Sequence, residues 1–167
     1  MYSSGDGSDA GHGSAIEALA PVIRLHPVRI KVITTDAAYR ERVWKVLSDL
    51  GRVSFVVSSL DSPDDIASVL RAEPADVVLL DATGCEAAAR KVIAKLADTA
   101  PRTGVLVVCH HCTEAARELR ALPKWGWTQD LRAGVEVAYR AGNPLYEGPL
   151  GPLRRRPERL TGPRRLE

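Results

Sequence analysis

The spacing of apolar residues switches back and forth along the middle of this chain. RIKVITT (29–35) is a β-rich run, and DAAYRERVWKVLSDLG (36–51) then carries Val43, Val46, Leu47 and Leu50 at spacings of three, one and three. That spacing lines up four apolar side chains on one helical face, with Asp36 placed as N-cap and Gly51 as the stop. The unit then repeats. SFVVSSL (54–60) reads as a second strand, and SPDDIASVLRAEPA (62–75) as a helix with Ser62 at its cap and Pro63 at its first position. DVVLLD (76–81) is a third strand before the helix CEAAARKVIAKLADTA (85–100), and GVLVVCHH (104–111) a fourth before CTEAARELRAL (112–122). LPKW (122–125) is a short fifth strand, and TQDLRAGVEVAYRAG (128–142) is a last helix stopped by Gly142 and Pro144. On that helix Leu131, Val135 and Ala138 share a core face, whereas Val137 and Tyr139 fall elsewhere and are candidates for a dimer surface.

Apolar strands alternating with amphipathic helices predict a parallel sheet covered on both faces. The expected fold class is α/β: a doubly wound, five-stranded parallel sheet in a flavodoxin-like three-layer sandwich. Residues 28–147 form that domain. Residues 1–27 are expected to be a flexible extension, since MYSSGDGSDAGHGS is rich in Gly, Ser and Asp. Within it, AIEALAPVIRLH (15–26) is apolar enough for a short helix or for lying against the domain, although Pro21 interrupts it. Residues 148–167 are expected to be a basic linker or tail.

Composition alters this picture in one respect. The net charge of +2 over 167 residues conceals an uneven distribution. The last 14 residues, RRRPERLTGPRRLE, hold six Arg and two Glu, so the remaining 153 residues are net acidic by two. The domain is therefore not a nucleic-acid binder by composition; only the tail has that charge. No apolar run approaches the roughly 20 residues of a membrane span, and the N-terminus has no signal-peptide pattern, so a cytoplasmic location without membrane contact is expected. Three cysteines do not suggest a disulfide framework.

In an open parallel sheet the site forms beyond the carboxyl ends of the strands, where the strand order reverses. Strand one delivers Thr34, Thr35 and Asp36 there, strand three delivers Asp81 with Thr83, Gly84 and Cys85, strand four delivers Cys109, His110, His111 and Cys112, and the fifth delivers Lys124. DAAYRE after the first strand is neither GxGxxG nor GxxxxGK[ST], which argues against a nucleotide enzyme. No nucleophile–base pair stands out, so no catalytic residue is assigned.

This constellation resembles the receiver domains of bacterial two-component response regulators, over roughly residues 28–147. The resemblance implies that Asp81 is the phosphoacceptor and Lys124 the lysine that pairs the phosphate. The 23 residues between Asp81 and VLVV are the family's usual spacing. VEVAYRAGNPLYEG looks like the exit of receivers that precede a helix-turn-helix output domain, and RLTGPRRLE looks like the start of, or a linker to, such a DNA-binding domain. The chemistry implied is phosphoryl transfer to a carboxylate, with Mg²⁺ and a lysine neutralising the charge.

The chain departs from that pattern at several points. The family's acidic pair falls on Thr34 and Thr35, leaving Asp36 one position later as a weak Mg²⁺ ligand or simply a helix cap. Cys109 replaces the strand-four hydroxyl, a poorer partner for phosphate. Only 15 steps separate Cys109 from Lys124, fewer than usual, so the fourth helix or fifth strand is shortened. These departures suggest an atypical receiver whose Mg²⁺ affinity is weakened, whose sensor kinase is uncertain, and which works as a dimerising module through its first and last helices.

A second reading uses CHHC (109–112). Cys85, Cys109, His111 and Cys112 form a candidate thiol or zinc cluster for a small-molecule, metal or thiol sensor, with Zn²⁺ the less favoured cofactor. Against this, Cys109 reads as a small apolar core residue and the histidines as solvated loop residues. Trp125 and Trp127, flanking Gly126, are expected to pack a shortened loop onto the core, or alternatively to form an aromatic patch beside the site.

Overall fold

A computed structural model describes residues 27–111 and 113–144. The expected N-terminal extension with its short helix, the basic tail, and Cys112 lie outside the described residues. Five strands are present: β1 (Val28–Ile33), β2 (Gly51–Val56), β3 (Val77–Asp81), β4 (Gly104–Cys109) and β5 (Leu122–Pro123). They alternate with α1 (Ala37–Leu47), α2 (Pro63–Ala72), α3 (Glu86–Thr99), α4 (Glu114–Glu118) and α5 (Thr128–Gly142). The strand order is β2-β1-β3-β4-β5 and every pairing is parallel, so the sequence reversal falls between β1 and β3. This is the doubly wound α/β fold that the apolar alternation predicts. No helix of the described residues is long and apolar enough to cross a membrane.

The core lies in two layers because alternate strand residues face opposite ways. Ile30, Val32, Val77, Leu79, Leu106 and Val108 meet Val43 and Leu47 of α1 and Leu131, Val135 and Ala138 of α5. On the other face Ile33, Val78, Leu80 and Val107 meet Ile66 and Leu70 of α2 and Val92 and Leu96 of α3. β3 is apolar on both faces because helices cover both.

Several boundaries move. Gly51 does not stop the first helix; α1 ends at Leu47 with Ser48 as its C-cap, and Gly51 opens β2. A Cβ on Gly51 would stand 2.0 Å from the Val28 carbonyl oxygen, so the residue is glycine because β1 and β2 approach there. β2 therefore starts three residues before the expected SFVVSSL and ends at Val56, leaving Val57 exposed. β4 stops at Cys109, short of the two histidines. α4 is a five-residue helix capped by Thr113, whose side chain accepts from Ala116 N. The shortening expected between Cys109 and Lys124 is thus divided between a one-turn α4 and a two-residue β5.

α5 runs over Thr128–Gly142, matching its expected span. It lies close on β4, since a Cβ at Gly104 would sit 1.8 Å from the Ala138 carbonyl oxygen. Arg132 of α5 reaches α1, donating to the Val46 carbonyl at 2.9 Å and pairing with Asp49 at 2.9 Å.

Candidate functional site

The carboxyl ends of β1, β3 and β4 open at the same edge of the sheet, at the reversal of strand order. Asp81 closes β3 there, with its side chain almost wholly buried. Both of its oxygens are engaged. Oδ2 accepts from Thr34 Oγ1 at 2.6 Å and from Lys124 Nζ at 2.6 Å. Oδ1 accepts from Thr83 Oγ1 at 2.6 Å and Thr83 N at 3.3 Å.

Lys124 follows directly on β5, and its backbone N–H donates to the Cys109 carbonyl at 2.9 Å. Only 6% of the residue is exposed, so it is not a surface lysine. Its ammonium bridges Asp81 and Asp36, whose Oδ2 lies 2.8 Å away. Asp36 does two jobs, because its other oxygen caps α1 by accepting from Tyr39 N at 3.0 Å. The Tyr39 and Trp125 rings lie near the ammonium, with centroids 5.0 and 6.0 Å from Nζ. The two rings meet edge to face at 5.6 Å. Arg42 of α1 donates to the Gly126 carbonyl and lies over the Trp125 ring.

The electrostatics follow from these contacts. Burial raises the Asp81 pKa, but the bonds from Lys124, Thr34 and Thr83 outweigh it and hold the carboxyl below its usual range. Asp36 is lowered by Lys124 and by the Tyr39 N–H. Burial works against the Lys124 charge, yet Asp36 and Asp81 together raise its pKa. All three groups are charged at neutral pH, a closed cluster of two anions and one cation.

Mg²⁺ does not fit this arrangement. The ion needs near-octahedral oxygen ligands, mostly carboxylates and waters. Here the four hydrogen bonds to Asp81 use its acceptor sites, and one Asp36 oxygen is the helix cap while the other holds the ammonium. Thr34, where a metal-binding acid was expected from the resemblance, donates a proton to Asp81 instead of offering a lone pair. Among the described residues no three His, Cys, Asp or Glu side chains are grouped to hold a metal.

Of the candidate cysteine cluster, Cys85, Cys109 and His111 are described, and each of the two thiols has a different contact. Cys109 is buried and its thiol contacts Glu86 Oε1 at 3.5 Å, whereas Cys85 contacts the Asp81 carbonyl at 3.8 Å. His111 is exposed, stacked edge to face on His110. Burial first, with neighbouring carboxylates second, pushes the Cys85 thiol up; burial likewise raises Cys109. Neither shift favours the thiolate that nucleophilic reactivity requires. Nor do the paired tryptophans seal a loop onto the core: Trp127 is 76% exposed and Trp125 is half-exposed.

The structure brings the expected Asp36, Asp81 and Lys124 together and adds three residues that the sequence pattern does not single out. Thr83, a loop residue in the sequence, clamps Asp81 and accepts from His110 N at 3.1 Å. Thr34 lacks the charge of an acid but donates to Asp81, and Tyr39 belongs to no motif. A tyrosine three residues after an N-cap, on the face that carries Val43, was the available signal for the last.

A cavity of about 210 Å³ opens beside the cluster, where Thr35, Ser58, Ser59 and Cys85 line it together with Asp36, Asp81 and Lys124. No protein-family model and no curated protein matches the chain. Solved structures do match in fold. A response regulator receiver domain protein from Clostridium thermocellum superposes with a TM-score of 0.54 at 17% identity, over 71% of this chain and 99% of its own. A receiver protein from Burkholderia phymatum gives 0.53 at 21%, covering 68% and 94%. The fold is receiver-like. A pilus assembly-related protein from Burkholderia pseudomallei K96243 is similar to the same degree, at 0.57 and 20% over 68% and 90%. At these identities the likeness speaks to the receiver-like fold alone.

Proposed function

We propose that this chain is an atypical response-regulator receiver domain, a signalling and dimerisation module of transcription regulation that works without Mg²⁺-dependent phosphorylation of Asp81. The observation that carries this reading is the saturation of the Asp81 carboxylate by Thr34, Thr83 and Lys124. A phosphoacceptor must present a free oxygen to the phosphoryl group and a metal beside it. The four hydrogen bonds to Asp81 leave it no free oxygen. Cys109, at the position of the switch hydroxyl, faces Glu86 instead.

The output is contact through the α1 and α5 faces, between two copies of this domain. Trp44 on α1 is 52% exposed and Val137 on α5 is 67% exposed, while α4 and β5 are reduced to five and two residues. A DNA-binding output domain beyond the basic tail would read out the association.

Two measurements test this. Incubation with a small phosphodonor and Mg²⁺ should leave the intact mass unchanged; a one-phosphate gain that Asp81→Asn removes would overturn phosphorylation independence. Sedimentation across a concentration series should show a dimer that Trp44→Ala and Val137→Asp weaken. A monomer at every concentration would sink the dimerisation half of the proposal.

A further inference from the structure

The end of the domain opposite Asp81, where the strands begin, carries a groove. A cavity of about 530 Å³ lies there between the end of α2, the α3–β4 turn and the start of β1, lined in part by Leu70, Pro74 and Pro101. A second cavity, of about 540 Å³, shares Pro101, Arg102 and Asn143 with the first and continues to Tyr139 and Pro144 at the end of α5. The groove is basic as well as apolar. Arg29, Arg71 and Arg102 line it against one carboxylate, Asp76, which pairs with Arg29 at 2.8 Å.

The chain meets this groove twice. Arg29, the second residue of β1, lines it, and so does Pro144. Residues 1–26 therefore join the domain beside the groove at one place, and residues 145–167 leave it at another. The two segments differ in charge. Residues 145–167 hold six Arg against three Glu, which the arginine lining repels. Residues 1–26 hold Asp6, Asp9 and Glu17 against Arg24, which it attracts. They also hold AIEALAPVIRLH (15–26), whose Ile16, Leu19, Val22 and Ile23 match the apolar part of the lining. Twelve residues reach about 40 Å when extended, and a small domain is about 30 Å across. From its anchor at β1 the segment can run the length of the groove.

We propose that residues 15–26 dock in this groove, with their apolar side chains against Leu70, Pro74 and Pro101 and their acidic charge toward Arg71 and Arg102. Docked there, the segment ties the entry of β1 to the end of α5, the helix from which the chain continues into its basic tail. The docking uses none of the residues around Asp81, so it stands or falls separately from the chemistry of that site.

Hydrogen exchange of the full chain, read by mass spectrometry against the free peptide 1–26, tests this. Amides of residues 15–26 should exchange about tenfold or more slowly in the protein than in the peptide, at every protein concentration. Leu19→Asp and Arg102→Glu should each remove most of that protection while β3 keeps its own, so that the loss reports undocking and not unfolding. The two core layers use residues between 28 and 138, so Leu19→Asp decides the matter even where Arg102→Glu does not fold. Wild-type exchange at the rates of the free peptide would overturn the proposal, as would protection that survives Leu19→Asp. Protection that fades on dilution would mean that a second copy covers the segment. Protection of residues 145–153 in place of 15–26 would assign the groove to the other end of the chain. Either of those results also refutes the docking of 15–26.

Discussion

Tyr39 places a phenol where the surrounding packing asks only for a ring. The residue is fully buried, its ring contacts Trp125 and the Lys124 ammonium, and its hydroxyl has no hydrogen-bond partner. Burial, with Asp81 adding to it, pushes the phenol pKa above its ordinary value, so the group stays neutral. A buried donor without a partner costs desolvation and returns nothing. Tyr39→Phe should therefore leave stability within about 0.5 kcal/mol or raise it, whereas Tyr39→Ala should lose about 3–5 kcal/mol through the cavity. Urea midpoints at constant slope measure both. A loss beyond about 1 kcal/mol in Tyr39→Phe would mean that the hydroxyl has a partner such as a buried water. At this scale the sequence displayed the acids and the lysine but not the hydroxyls that serve them. Thr34 and Asp81 are 47 residues apart, and nothing local in ITTDAA shows that the threonine donates to a carboxylate on another strand.

Elements were legible wherever a run of apolar residues is long enough to fix its own period. α5 is the clearest case, with Leu131, Val135 and Ala138 buried on one face and its span as expected. β3 is another, because apolar residues on both faces admit only a doubly covered strand. Boundaries shift where a glycine that resembles punctuation serves tertiary packing instead. Gly51 permits two strands to approach, a tertiary fact that a helix-stop rule cannot express. Gly104 has the same character, and it yields a prediction. Its missing Cβ gives room to the Ala138 carbonyl, a backbone atom that cannot swing aside as a side-chain tip would. Gly104→Ala should push α5 away from β4 and cost about 2 kcal/mol or more, despite the smallness of the added methyl. An alanine scan by thermal unfolding checks this, with exposed Ala133→Ser on α5 as the neutral control. A Gly104→Ala protein as stable as the parent would show that α5 is free to shift on the sheet.

For the molecule as a whole, the charge cluster sets a pH window for stability. Asp36 and Asp81 have folded-state pKa values below their unfolded ones. Their contribution is present above the unfolded value of about 3.9 and is lost as pH falls through the lower, folded values. Lys124 is shifted the other way, so its contribution is complete below the unfolded value of about 10.4 and is lost as pH rises through the folded one. Both limits arise from one cluster that joins β1, β3, β5 and the start of α1, which ties the sheet's switch point to the first helix. The contribution of this cluster to thermal stability should therefore be flat from about pH 5 to pH 10 and fall on either side. Lys124→Met should remove the Lys124 share of the alkaline fall, leaving that of Cys85, Cys109 and Tyr39, while lowering the plateau because the two carboxylates then face each other. In that variant the acid limb should also weaken or reverse, since protonating one of two unpaired neighbouring carboxylates relieves repulsion. A Tm–pH profile of the two proteins separates these outcomes. Parallel profiles displaced by a constant would mean that Lys124 contributes packing alone, and that the closed cluster of two acids and one ammonium does not govern the fold's response to pH.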